Sequence, residues 1–184
     1  MAPLVQSFAP VIAPACHTLI LGSMPGERSL SVGEYYGHPR NAFWPVMGQL
    51  FEFSTSLSYT ERLEKLNHAG IALWDVMASC ERAGSLDTSI VGTSVIPNAI
   101  VELLIEYPDI QRIILNGAAA ATTFRRHIAP RMTALNIRRT VLQAPSTSPA
   151  HASLRQEEKL RIWESLLRMS VLPAPENGQA HETV

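Results

Sequence analysis

Cysteine is almost missing from this chain: Cys16 and Cys80 are the only two among 184 residues, and they stand far apart. Two thiolates cannot by themselves hold a zinc ion or an iron–sulfur cluster, and they offer no disulfide framework. Long apolar runs are missing too. None reaches the ~18 residues of a membrane-spanning helix, and the opening Met1-Ala-Pro-Leu lacks the basic-then-apolar layout of a secretion signal. The expectation is a soluble, cytoplasmic protein that does not engage a membrane. Neither G-x-x-x-x-G-K-S/T nor G-x-G-x-x-G occurs, which weakens a nucleotide-binding module. The absence of a G-x-S-x-G elbow weakens a serine hydrolase. The two richest motifs contain no lysine for a Schiff base, no cluster of metal ligands and no close carboxylate pair; Glu27 and Glu34 lie seven residues apart and Asp75 is isolated. Neither a metal nor a cofactor is expected.

What is present is enough apolar material, 46% of residues, for one domain with a substantial core. Residues 1–172 are read as that domain. Residues 173–184, with Pro, Glu, Asn, Gly and Gln and little to bury, are read as a mobile tail. Four short apolar runs, 18–21, 71–76, 112–115 and 139–142, have the composition of buried parallel strands. Helical stretches separate or follow them at 42–51, 60–67, 98–106, which stops before Pro108, and 118–127, which stops before Pro130. A final helix has Ser153 and Gln156 as a capping box and Leu160, Trp163, Leu166 and Leu167 as its core stripe. The alternation predicts an α/β protein, a three-layer α/β/α sandwich around a short central parallel sheet. Ligands of such sheets bind beyond the carboxyl ends of the strands. There the chain runs into unusual loops: G-S-M-P-G at 22–26, Trp74-Asp75, Asn116-Gly117, and A-P-S-T-S-P-A-H at 144–151.

The loop after the first strand continues as Y-Y-G-H-P-R-N-A-F-W over residues 35–44, a concentration of flat rings with amide and imidazole groups and almost no ionised side chain. Those are groups suited to holding a flat heteroaromatic by stacking and hydrogen bonding. The 144–151 loop sets three hydroxyls between two prolines, a stiff segment that could press on a phosphate backbone or enter a groove.

H-P-R-N-A-F-W at 38–44 resembles the loop shared with the mismatch-specific branch of the uracil-DNA glycosylase superfamily. Taken with G-S-M-P-G and A-P-S-T-S-P-A-H, the sequence is most similar to the hypoxanthine-DNA (deoxyinosine) glycosylase family, over roughly residues 8–169. One departure sets the branch. Mismatch-specific uracil glycosylases carry Asn inside the first turn, whereas Met24 stands here, and a thioether cannot orient water as an amide can. The resemblance implies a monofunctional glycosylase that flips a deaminated base out of DNA and hydrolyses its N-glycosidic bond. Hypoxanthine is the expected base, and uracil excision is the runner-up. The few cysteines argue against the glycosylase branches that hold an iron–sulfur cluster.

By the same resemblance the catalytic amide falls to Asn41, whose residue-level alternative is a turn-forming Asn after Pro39. Base contacts fall to Gly22, Ser23, Met24, Tyr36, Phe43 and Asn116, with Phe43 as stacking platform; Phe43 could equally be core, and Asn116 a helix cap. Ser146, Thr147, Ser148 and His151 would meet DNA, with His151 open to a purely structural role. The expected partner is DNA containing deaminated bases, and a monomer is expected to bind it. A net charge of −1 is unusual for such a partner, but residues 110–156 contain no acid and hold Arg112, Arg125, Arg126, Arg131, Arg138, Arg139 and Arg155. A basic face there is the expectation, against the alternative that these arginines solvate helix and strand ends.

Overall fold

A computed structural model describes residues 2–169; Met1, the last three residues of the expected domain and the expected tail lie outside the described residues. In chain order the strands are β1 (Leu4–Gln6), β2 (Thr18–Gly22), β3 (Ile71–Asp75), β4 (Met77–Glu81), β5 (Ile96–Pro97), β6 (Arg112–Asn116) and β7 (Thr140–Ala144). The helices are α1 (Glu27–Val32), α2 (Phe43–Leu50), α3 (Tyr59–His68), α4 (Ile100–Glu106), α5 (Ala118–Thr123), α6 (Ala129–Ala134) and α7 (Gln156–Arg168).

The four expected strands form one parallel sheet in the order β3-β2-β6-β7, flanked by helices as an α/β sandwich. Every residue of β2, β3 and β6 is buried, which is why they read as uninterrupted apolar runs. Edge strand β7 alternates instead. α2 packs on α7, α3 on β3 and α5 on β6, and Leu19, Ile20, Leu73, Ile113, Ile114, Leu104 and Trp163 fill the space between. Register carries this order to the functional edge. Gly22 lies beside Asp75, and Asn116 beside Ala144, so the loops that follow all leave from one side.

A second, antiparallel sheet in the order β1-β4-β5 departs from expectation. β4 follows β3 with Val76 alone between them, so the 71–76 run conceals a strand change. β1 and β5 span three and two residues, too short to show a period. Asn98 stands ahead of α4 rather than inside it; its amide donates to the carbonyls of Asp75 and Met77 at 2.8 and 3.1 Å, pinning the point where β3 becomes β4.

Two helix boundaries also differ. The helix expected to stop before Pro130 continues through a wide π turn, Phe124–Ile128, closed by the Ala129 N–H on the Phe124 carbonyl. Pro130 then takes an opening position of α6, where its missing N–H leaves no bond unmade. The last helix does not use a Ser153–Gln156 box. It starts at Gln156, and the Glu158 carboxylate accepts the Arg155 N–H at 2.8 Å, while the Ser153 hydroxyl meets His151 Nε2 at 3.2 Å.

Candidate active site

The loops at the carboxyl edge enclose a cleft of about 570 Å³. Its walls bring together Gly22, Ser23, Met24, Tyr36, Asn41, Asn116, Ser146, Thr147, Ser148 and His151, segments from four separate parts of the chain. A smaller cavity of about 100 Å³, against Ile71 and Arg112 where β3 and β6 begin, contains none of them.

The first wall is the 22–26 turn. Its carbonyls at Met24 and Pro25 accept from the guanidinium of Arg82, which is fully buried and also binds the Gly84 carbonyl. The Ser23 hydroxyl donates to Asp87 at 2.7 Å, tying the turn to the 84–88 loop on the cleft rim. Gly22 is demanded by packing: a Cβ would run into the Asp75 carboxylate and lie 3.4 Å from the Tyr36 hydroxyl. Asp75, at the end of β3, is 3% exposed and accepts the Ser7 hydroxyl on Oδ2 at 2.7 Å. Burial pushes its carboxyl up to about 7; the Ser7 hydrogen bond opposes this, the Asp87 charge adds to it and the Arg82 charge opposes it.

The second wall is the 35–44 loop. Tyr36 holds φ at +56°, a left-handed conformation uncommon for a bulky residue. Its ring stacks on Phe43 at 3.8 Å and 18°. Phe43 is 0% exposed, boxed edge-on by Trp44 and Trp163, and does not line the cleft. The expected platform is therefore corrected: Phe43 is core that braces Tyr36, and Tyr36 presents the ring at the cleft wall. The Tyr36 hydroxyl is buried without a hydrogen-bond partner among the described residues. Burial and then the Asp75 charge push its phenol up, and the nearby Asn116 amide opposes them.

Asn41 combines the two readings given to it. Its N–H bonds the His38 carbonyl at 2.8 Å in a turn, and its Oδ1 accepts the Phe43 N–H at 3.0 Å, satisfying an open donor of α2. A carbonyl oxygen has two lone pairs, so one remains for a water while Phe43 fixes the amide plane.

The third wall joins β6 to the 144–151 loop. Asn116 Nδ2 donates to Thr147 Oγ1 at 2.9 Å and Asn116 Oδ1 accepts the Thr147 N–H at 3.0 Å. The Thr147 carbonyl accepts the Ala42 N–H at 2.9 Å, coupling this loop to Asn41. Behind it, Trp163 and Lys159 of α7 donate to the carbonyls of Pro145 and His151. Gly117 adopts φ +99°, and a Cβ there would lie 2.9 Å from that of Ser146, so only glycine lets the two loops close.

This three-walled edge agrees with what the chain matches. A family model described as the uracil DNA glycosylase superfamily covers residues 9–167. The chain belongs to the uracil DNA glycosylase superfamily. A Methanosarcina barkeri protein named hypoxanthine DNA glycosylase is 38% identical over 113 residues, 61% of this chain and 70% of that one. A Methanosarcina acetivorans protein of the same name is 29% identical over 164 residues, covering 89% and 98%. The solution NMR structure of a candidate uracil DNA glycosylase from M. acetivorans superposes with a TM-score of 0.74 at 28% identity, covering 90% of this chain and 98% of that one.

Within this superfamily member, several expected roles move. Thr147 is 1% exposed, so its side chain serves the Asn116 lock and not a DNA strand; Ser146 and Ser148 remain at the cleft. Asn116, expected to read a base edge, lines the cleft and gives one Nδ2 hydrogen and one Oδ1 lone pair to Thr147, which fixes its amide plane. His151 Nε2 meets the Ser153 hydroxyl and its backbone N–H donates to the Ser148 carbonyl, but neither the Ser146 nor the Ser148 hydroxyl bonds its ring, so the nucleophile–base pair of a serine hydrolase does not form there. Nor do the arginines of 110–156 make one basic cleft. Arg112 donates to the Leu167 and Met169 carbonyls, Arg131 pairs with Glu102, and Arg139 binds the Leu104 carbonyl at the far end of the sheet. Among the described residues Arg28 is the arginine that lines the cleft, and Arg40 is exposed in the 35–44 loop. Sequence reading passed over Arg82 and gave Asp75 no role; the available signal was an acid closing an otherwise apolar strand.

Proposed function

We propose that this protein is a monofunctional DNA N-glycosylase that removes a deaminated base, with hypoxanthine from deoxyinosine as the preferred one. The observation that carries this reading is Asn41: an amide locked by the Phe43 N–H, on the wall of a cleft that also holds a braced aromatic ring. The names of the two Methanosarcina relatives support hypoxanthine as the base. The extruded nucleotide enters the cleft with its base against Tyr36, and Ser146 and Ser148 face the strand it left. Asn41 Oδ1 accepts one hydrogen of a water whose oxygen points at C1′. The C1′–N9 bond breaks with its electron pair leaving on the base, and the water adds to the oxocarbenium-like sugar to give an abasic site. The amide acts by position, because it does not titrate in this range.

Uracil excision is the second reading, since the superfamily includes it by name. Met24, 6% exposed on the cleft wall, puts a thioether where that chemistry would want an amide. Oligonucleotides carrying deoxyinosine, deoxyuridine or deoxyxanthosine, each single-stranded and opposite every base, separate the readings after alkaline cleavage of abasic sites. The expected result is strongest nicking at deoxyinosine. Nicking confined to deoxyuridine would replace hypoxanthine by uracil, and intact strands throughout would end the glycosylase reading.

A further inference from the structure

One corner of the cleft holds polar groups that the steps above do not use. Asp75 Oδ1 and the Tyr36 hydroxyl both lie over Gly22, where the absence of a Cβ makes room for them. Ser7 occupies Oδ2 of the carboxyl, and among the described residues Oδ1 has no hydrogen-bond partner. Among the described residues no cation forms a salt bridge with Asp75. The guanidinium whose charge acts on Asp75, that of Arg82, is held by three backbone carbonyls. A carboxyl buried to this degree, faced by neutral hydroxyls, without an ion pair among the described residues and on the wall of a ligand cleft, is built to carry a proton rather than a charge.

Resting on the glycosylase reading, we propose that Asp75 is a further catalytic residue, the proton donor to the departing purine, through Oδ1. Its natural acceptor is N7, the more basic of the two ring nitrogens, N3 and N7, that carry no hydrogen in deoxyinosine. As the C1′–N9 bond breaks, its electron pair passes to the purine ring, and the Asp75 proton forms the N7–H bond. Neutral hypoxanthine leaves and Asp75 remains a carboxylate. The water that adds to C1′ releases one proton, which restores the acid. No oxidant, metal or other reactant enters. The step also separates purines from uracil, which has no N7 to protonate.

The groups facing Asp75 support a proton at neutral pH. Burial raises its carboxyl to about 7, Ser7 and the Arg82 charge pull it down, and the Asp87 charge pushes it up. The phenols of Tyr35 and Tyr36, on the loop packed against it, are themselves raised by burial and by Asp75, and stay neutral.

Single-turnover excision from a deoxyinosine oligonucleotide, followed from about pH 6 to pH 9, tests the assignment. Wild-type excision should fall with an alkaline limb centred near neutrality. Asp75→Asn should lower excision by about 10²-fold or more at the optimum and lose that limb. An oligonucleotide carrying 7-deaza-2′-deoxyinosine should bind and stay uncut. Ser7→Ala, which leaves the acid in place, should move the limb to higher pH, because it removes a hydrogen bond that favours the carboxylate. Circular dichroism establishes that each variant is folded; if Asp75→Asn is not, Ser7→Ala decides. The assignment is overturned by a folded Asp75→Asn that keeps wild-type turnover or its alkaline limb, by cleavage of the 7-deaza substrate, or by an unmoved limb in Ser7→Ala. Failure of the wild type to excise hypoxanthine at any pH removes the hypoxanthine reading and this assignment together, whereas excision with an unaltered limb in Asp75→Asn removes only the proton donor.

Discussion

Replacing Asn41 by Ala removes two things that the structure joins in one atom. Oδ1 accepts the Phe43 N–H at the start of α2, and losing that acceptor costs about 1 kcal/mol, as for other open helix-start donors. For a domain of this size that is a fall of roughly 2–4 °C in melting temperature. A domain stable by ~5–15 kcal/mol stays folded after such a loss, so unfolding cannot account for a large drop in rate. Loss of the positioned water should instead lower single-turnover excision by about 10²-fold, about 2.7 kcal/mol of barrier. Asn41→Asp separates the effects. A carboxylate keeps the acceptor and sits near the positive end of α2, so the melting temperature should hold near wild type. It also keeps an oxygen for the water and adds charge near the oxocarbenium-like sugar, so its rate should exceed that of Asn41→Ala. Turnover of Asn41→Ala close to wild type, with DNA still bound, would refute the assignment and leave Oδ1 as a helix-start acceptor alone.

Three other changes probe the walls. Thr147→Val withdraws the hydroxyl that Asn116 Nδ2 uses, and leaving that buried donor unmatched should cost about 1–3 kcal/mol in a denaturant titration. Arg28→Ala with Arg40→Ala should weaken DNA binding and flatten its salt dependence, while Arg139→Ala leaves the slope unchanged, because Arg139 is bound at the other end of the sheet. Met24→Asn places an amide on the cleft wall and should raise uracil excision relative to hypoxanthine in competition on mixed oligonucleotides.

The parallel sheet was legible because β2, β3 and β6 are buried on both faces, and burial of that kind leaves unbroken apolar runs. The cleft was legible because parallel strands send their loops to one edge, which gathered the motifs at 22–26, 35–44 and 144–151. Division of labour inside the cleft was not legible. Phe43 and Tyr36 are both aromatic residues in one loop, and which is core and which faces the cleft depends on a left-handed turn at Tyr36 that no period reports. Asn116 and Thr147 are thirty-one residues apart, and their mutual lock is a product of strand register. The isolated charges misled for the same reason. Arg82 stands alone in the sequence until the 22–26 carbonyls close around it, and the arginines of 110–156 share a stretch of sequence without sharing the cleft, Arg112 and Arg139 being bound at the amino end of the sheet where β6 and β7 begin.

The central claim is that this cleft releases an intact base by hydrolysis, and the released base itself is the most direct witness. Wild-type protein and Asn41→Ala would each be incubated with a deoxyinosine oligonucleotide and excess chelator, and the filtrate separated by liquid chromatography with mass detection. The account predicts free hypoxanthine from the wild type in a one-to-one ratio with abasic sites, little from Asn41→Ala, and no borohydride-trapped protein–DNA adduct. Strand loss without free hypoxanthine, or a trapped adduct, would contradict it.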